Sequence, residues 1–421
     1  MMKKITLPIN LLLYICLAVS CNSQERINGW NSDLDFYINQ AKAHHYVYKK
    51  QPLPDKFNVA AEKLRANISV YSDQRILLEF EFIAATLGDG HTYVLPWAAK
   101  TVPAYALPLR FYLFSDGLFV IDASDNLRHI IGRKVFAIGG ISANEAMKRI
   151  APYISRDNEE GITWIGPVFL SLQGALEAIG AQVDAGKIKI ETQDVNNKKE
   201  ETSLSFELMK PMRGVPKLFA SKISNQTAPI YLQNVGDSYW MKSITAGNSK
   251  WVYFQFNQVM NKEGESIEAF SKRLSDTISV SGARKLIVDV RHNNGGNAEL
   301  LYPLLEVMNK FQTANGPQSI TIITGRNTFS AAQIFISKCD GLFHPVFVGE
   351  SSSSKPNFVG EENAVILPYS GAMCSISNRY HESIPGDNRN VIEPHHQILL
   401  SSTDYFKNED PVMNQLLKQS K

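Results

Sequence analysis

The chain has 421 residues, 44% of them hydrophobic and 20% charged, enough apolar material for two or three packed domains, which excludes a globally disordered chain. Its formal charge is +2, and without Lys3 and Lys4, which fall in a leader, 41 basic residues face 41 acidic ones. Such a balance offers no electrostatic footprint for nucleic acid, which is not expected as a partner.

Lys3 and Lys4 precede an apolar run from Ile5 to Val19, broken by Thr6, Pro8 and Asn10, and then Ala18-Val19-Ser20-Cys21. This is the charged, apolar, small-residue order of a secretory signal over residues 1–20. About 15 imperfectly apolar residues fall short of the roughly 20 that a spanning helix needs. Ala18-Val19-Ser20-Cys21 also resembles a bacterial lipobox, which implies lipidation of Cys21. The expectation is an exported lipoprotein, periplasmic or at the cell surface, anchored by Cys21 and most naturally in an outer membrane. Cys339 and Cys374 remain in the mature chain; an oxidising envelope would allow a bridge between them, whereas two separate buried thiols are the simpler reading.

After a polar stretch from Asn22 to Ser32, the region to Leu87 reads as helical, with Phe57, Ala61, Leu64 and Ile68 on one face and a second run from Ile76. Ser72 and Asp73 offer an N-cap, and Gly88 with Gly90 stops the helix just before His91. A helical N-terminal domain is expected over residues 21–104. From Leu107 to Leu208 short alternating runs such as Leu118–Ile121 and Lys187–Ile190 are separated by turn residues, which predicts a β-rich module over 105–210. Within it, Gly132 to Ser142 resembles a strand and turn of PDZ domains, although the Gly-Leu-Gly-Phe carboxylate-binding loop is missing. From Trp251 onward strand and helix signals alternate, which argues for an α/β core within 211–421.

Ser330 follows an apolar strand and opens a helical run from Ala331 to Ile336. The first-turn N–H groups and dipole of a helix favour developing negative charge, so a nucleophile at Ser330 would place its oxyanion near the Ala331 amide. Ser at that position is also a common N-cap. In Asp289-Val290-Arg291-His292-Asn293-Asn294-Gly295-Gly296 a strand ends in paired glycines that permit close approach to a substrate carbonyl, and the same residues make an ordinary turn.

Leu87-Gly88-Asp89-Gly90-His91-Thr92, Asp289 to Gly296, and Thr328-Phe329-Ser330-Ala331-Ala332 occur in one order that resembles the C-terminal processing and tricorn-core-like serine peptidases. The resemblance runs through Gly132–Ser142 to Asp404-Tyr405-Phe406, nearly the whole mature chain. It implies an α+β multidomain protein with a helical N-terminal domain, a PDZ-like module and an α/β peptidase core of crotonase-like ββα type. It further implies Ser330 as nucleophile and an oxyanion hole from Ala331 with Gly295 or Gly296. The tricorn-like branch of the family uses a histidine base, for which His91 stands in place. The other branch uses a lysine, and Lys355 follows Ser330 at the fitting distance, with Ser353 and Ser354 where a glycine usually precedes it.

A neutral-pH base favours His91, because a lysine must first be made neutral by burial or a neighbouring cation. Asp387 is the expected orienting acid by motif register, with Glu393 as the alternative. No His/Cys/Asp/Glu spacing suggests zinc, so neither metal nor other cofactor is expected. The expected partner is a peptide or protein substrate. Two further classes stay open: a non-catalytic peptide-binding protein on the same scaffold, and another serine hydrolase such as an esterase. The absence of Gly-x-Ser-x-Gly around Ser330 weighs against an α/β-hydrolase.

Overall fold

The computed structural model describes residues 9–210 and 215–418, with side chains from Ser23 onward. The Cys21 side chain, and with it the expected lipidation site, lies outside the described residues. Among the described residues no helix is long and apolar enough to cross a membrane.

Three helices, Ile9–His44, Asp55–Asn67 and Asp73–Ala85, form the N-terminal unit. The first runs straight through the polar stretch 22–32, where the sequence reading placed no helix. Its stripe of Trp30, Leu34, Tyr37 and Ala41, spaced four, three and four residues apart, is fully buried and explains why. Ser72 caps the third helix, its Oγ accepting the Arg75 N–H at 3.1 Å, and Gly88 at φ +85° turns the chain toward His91. The unit does not close on itself. Its core also takes in Val365, Leu367, Ala372, Cys374 and Ile376 from the hairpin Phe358–Ile366 and Met373–His381, which pairs with the short strand Tyr93–Val94. A segment from the C-terminal third of the chain thus completes the N-terminal core.

The middle of the chain forms an antiparallel β module resembling a PDZ domain. Strands Leu109–Phe114, Gly117–Ala123, Lys134–Ile138 and Lys187–Gln193 lie in that order, with Lys199–Ser205 on the last. Gly139 and Gly140, both at positive φ, make the two-residue turn between Lys134–Ile138 and Ile141–Ser142, as a tight hairpin requires.

The α/β core is a six-stranded sheet. Tyr239–Ala246 pairs antiparallel with Ser249–Phe256, and Lys285–Asp289, Ile320–Thr324, Val346–Gly349 and His396–Gln397 follow in parallel. Helices Ile267–Ser281, Tyr302–Asn315 and Ala331–Phe343 connect the parallel strands. Asp289 pairs with Ile323 in register, so the glycine loop and the Ser330 loop leave neighbouring strands at the same, C-terminal edge, where open α/β sheets bind ligands. Cys339 packs in the core and Cys374 in the N-terminal unit, both as free buried thiols.

Candidate active site

Strand Ile320–Thr324 hands the chain to the helix Ala331–Phe343 through a pinned loop. Thr328 Oγ1 donates to Val290 O at 3.0 Å, the Phe329 N–H to Asn293 O at 3.1 Å, and the Ser353 N–H to Thr328 O at 3.1 Å. These bonds hold Ser330 at φ 55°, ψ −126°, and its hydroxyl makes no capping hydrogen bond. A non-glycine residue in that region is strained, and such strain concentrates at functional sites. The capping role open to Ser330 in the sequence is therefore not taken up. The geometry is a sharp strand-to-helix elbow, reached without the Gly-x-Ser-x-Gly sequence.

Gly295 lies directly against this elbow. A Cβ on Gly295 would stand 2.6 Å from Ser330 Cβ and 3.0 Å from the Ala331 nitrogen, and its φ of +113° also excludes other residues. A Cβ on Gly296 would collide with the Val259 carbonyl. The two glycines differ in their amides. The Gly295 N–H donates to Asn293 Oδ1 at 3.0 Å, whereas those of Gly296 and Ala331 have no partner among the described residues. Gly296 and Ala331 both line, with Ser330 and His91, a cleft of about 1030 Å³.

His91 is buried, and its ring is stacked between Phe329, at 4.4 Å between centroids, and Phe358, at 5.2 Å. Neither ring nitrogen has a hydrogen-bond partner among the described residues. Burial pushes the imidazole down to about 4, the nearby Asp89 charge opposing this in part. Gly360 leaves room for the ring, since a Cβ there would lie 3.3 Å from Nδ1.

Asp89 fixes the segment that carries His91. Its Oδ1 accepts the His91 N–H at 3.0 Å and the Thr92 N–H at 2.7 Å, and Ser377 Oγ donates to it at 2.5 Å; Oδ2 lies 2.9 Å from His45 Nε2. Burial raises the Asp89 carboxyl, but the bonds from His45 and Ser377 and the histidine charges outweigh it and hold it low. His45, which has no motif around it in the sequence, is thus a full member of the site.

Two further carboxyls come from elsewhere in the chain. Asp157 accepts the Gly90 N–H at 2.7 Å through Oδ1, leaves Oδ2 unpartnered, and is pushed by burial up to about 7. Glu81 accepts the Val94 N–H at 2.5 Å and the Ser155 N–H at 3.1 Å, and burial pushes it up to about 8. Neither has a sequence signature, because each meets His91's segment only through the fold.

The other expected residues stand apart from the cleft. Lys355 is half-buried near Asp157 and does not line it. Asp387 is held by Arg389, with contacts of 2.6–3.1 Å, and does not line it either. Glu393 accepts from Ser351 Oγ at 3.3 Å. The acid next to His91 in this structure is Asp89. Among the described residues no group of three or more His, Cys, Asp or Glu could hold a metal ion.

No protein-family model and no curated protein sequence matches this chain. Solved structures do. Mature CPAF in complex with lactacystin superposes with a TM-score of 0.65 at 13% identity, covering 94% of this chain and 97% of the other. The chain is similar in fold to CPAF. A second structure of mature CPAF gives 0.63 at 12% identity, over 94% and 96% of the two chains. The tricorn protease gives 0.39 at 14% identity, over 94% of this chain and 36% of its own. At these identities the likeness to CPAF is one of fold, and it spans all three parts of the described chain.

Proposed function

We propose that the chain is a serine peptidase that cleaves peptide bonds of envelope proteins or peptides through an acyl-enzyme on Ser330. The observation that carries this reading is the strained Ser330 elbow, its hydroxyl uncommitted, beside two unpartnered N–H groups in a cleft that also holds His91. Ser330 Oγ attacks the substrate carbonyl as His91 takes its proton. The carbonyl oxygen becomes an oxyanion bonded by the Ala331 and Gly296 N–H groups, while the Gly295 N–H stays with Asn293. Collapse breaks the C–N bond, His91 returns the proton to the leaving amine, and water then hydrolyses the ester by the same route.

A ring with both nitrogens unpartnered and a depressed pKa is neutral at physiological pH and free to accept a proton. Neither ring nitrogen bonds the Ser330 hydroxyl in this structure, so in this reading that hydrogen bond forms when substrate occupies the cleft. Asp89 holds the backbone of the histidine segment and supplies the neighbouring negative charge. The leader and Cys21 extend the proposal to an exported lipoprotein, which mass spectrometry of the mature N-terminus tests.

The chemistry is tested with a fluorophosphonate probe read by intact mass on wild type, Ser330→Ala, His91→Ala and Lys355→Ala. Single labelling that is lost in Ser330→Ala and His91→Ala and kept in Lys355→Ala supports the proposal. Loss in Lys355→Ala with retention in His91→Ala moves the base to lysine. No label on folded wild type leaves a peptide-binding scaffold. Lactacystin, which the CPAF structure holds, is a second probe for the same serine.

A further inference from the structure

A second cavity, of about 510 Å³, lies where the PDZ-like module meets the core. It shares Trp164 and Val215 with the Ser330 cleft but none of Ser330, His91 or the oxyanion donors. Its size is ordinary for a small-molecule site. Much of its wall is apolar, with Leu109, Phe111, Pro167 and Leu400 among the lining residues.

The polar groups on that wall are unequally served. Arg326 is paired with Glu350, and Arg291 with Asp289 and Asp410. Arg110 has no carboxylate partner among the described residues. Its Nη2 donates to the Pro216 and Lys217 carbonyls at 3.4 and 3.2 Å, and its guanidinium lies 4.8 Å from the Phe219 ring centre. Asp122, the carboxylate whose charge acts on it, is engaged by Lys222 Nζ at 2.7 Å. Burial lowers the Arg110 pKa, the mark of a cation held away from water without full compensation.

Two phenols complete the pattern. Tyr231, 2% exposed, lines the cavity with its hydroxyl unpartnered; Tyr405, fully buried and also unpartnered, lies close enough to Arg110 and Tyr112 to interact with both. On the cavity wall, a partly buried guanidinium without a carboxylate and the buried Tyr231 hydroxyl without an acceptor leave one kind of group missing, a singly charged oxygen anion. The apolar wall supplies the place for its tail.

We propose that this cavity binds a small amphipathic monocarboxylate, its carboxylate on Arg110 and the Tyr231 hydroxyl and its apolar chain along Leu109, Phe111 and Leu400. One uncompensated guanidinium selects a monoanion over a dianion. The proposal does not depend on the chemistry at Ser330.

Isothermal titration tests it with decanoate and decanol as probes on the Ser330→Ala protein, alone and with Arg110→Gln or Tyr231→Phe added. We expect one decanoate per chain, with decanol at least about tenfold weaker. Arg110→Gln should lose roughly tenfold in decanoate affinity and abolish the preference over decanol, as the loss of a charge-assisted bond implies. Tyr231→Phe, which deletes one oxygen, should lose a smaller factor with an unchanged far-ultraviolet spectrum, and this keeps the test intact if Arg110→Gln does not fold. An acetylated peptide ending in leucine should not compete. Absence of decanoate binding, equal binding by decanol, unchanged affinity in a folded Arg110→Gln, or displacement by the peptide would each overturn the proposal.

Discussion

Ser330 stands in a backbone conformation that a non-glycine residue adopts only under constraint, and the constraint is spread over the loops that touch it. Gly295→Ala would place a methyl 2.6 Å from Ser330 Cβ at a strained φ. We expect it to abolish fluorophosphonate labelling while the protein stays folded by circular dichroism. His91, depressed to about 4, should keep the acid limb of the labelling rate well below the ordinary histidine value near 6.5; a limb at 6.5 would show a solvated ring.

Asp157 runs the other way. Its folded pKa of about 7 lies above an unfolded value near 4, so the folded state holds a proton through that interval that the unfolded state has lost. Stability therefore falls as pH rises from about 4 to 7. Asp157→Asn, still able to accept the Gly90 N–H, should remove that slope. In denaturant melts it should be more stable than wild type at pH 8, on the order of a few kcal/mol, and equal to it near pH 4.

At the level of elements, the segments whose cues are local are the ones legible in the sequence. Ser72 reads as an N-cap and is one, with its hydroxyl also donating to Glu177 at 2.6 Å. Ser72→Ala should cost about 1 kcal/mol in a denaturant melt. The Gly139–Gly140 turn and the alternating strands and helices from Trp251 onward were equally open to reading. The helix through 22–32 was obscured because its buried positions are sparse among polar neighbours, and only packing against distant segments identifies them. The same holds for the site. Ser330, the paired glycines and His91 sit in compact motifs, whereas His45, Glu81 and Asp157 are brought to it by tertiary contacts that leave no trace in local spacing. Asp387 illustrates the converse: its position in the chain suggested an orienting acid, and Arg389, two residues away, takes its charge.

Across the whole molecule, Arg326 ties the α/β core to the PDZ-like module. Its guanidinium pairs with Glu350 at 2.8 Å and donates through Nη1 to Leu113 O at 2.6 Å and Thr163 O at 3.3 Å. Arg326→Met would leave Glu350 buried without a partner, for which a loss of about 3–5 kcal/mol is expected. Limited proteolysis should then cut between module and core faster than in wild type; an unchanged pattern would place the coupling elsewhere. The hairpin Phe358–His381, which fills the N-terminal core from the far end of the chain, bears on the order of synthesis. A nascent chain emerging from the ribosome has its first three helices complete long before Ile376 exists, and those helices have no finished core to settle into. The protein cannot fold domain by domain from its N-terminus. If the proposed export is correct, a chain kept open until its last quarter is made is suited to threading through a secretion channel before it folds.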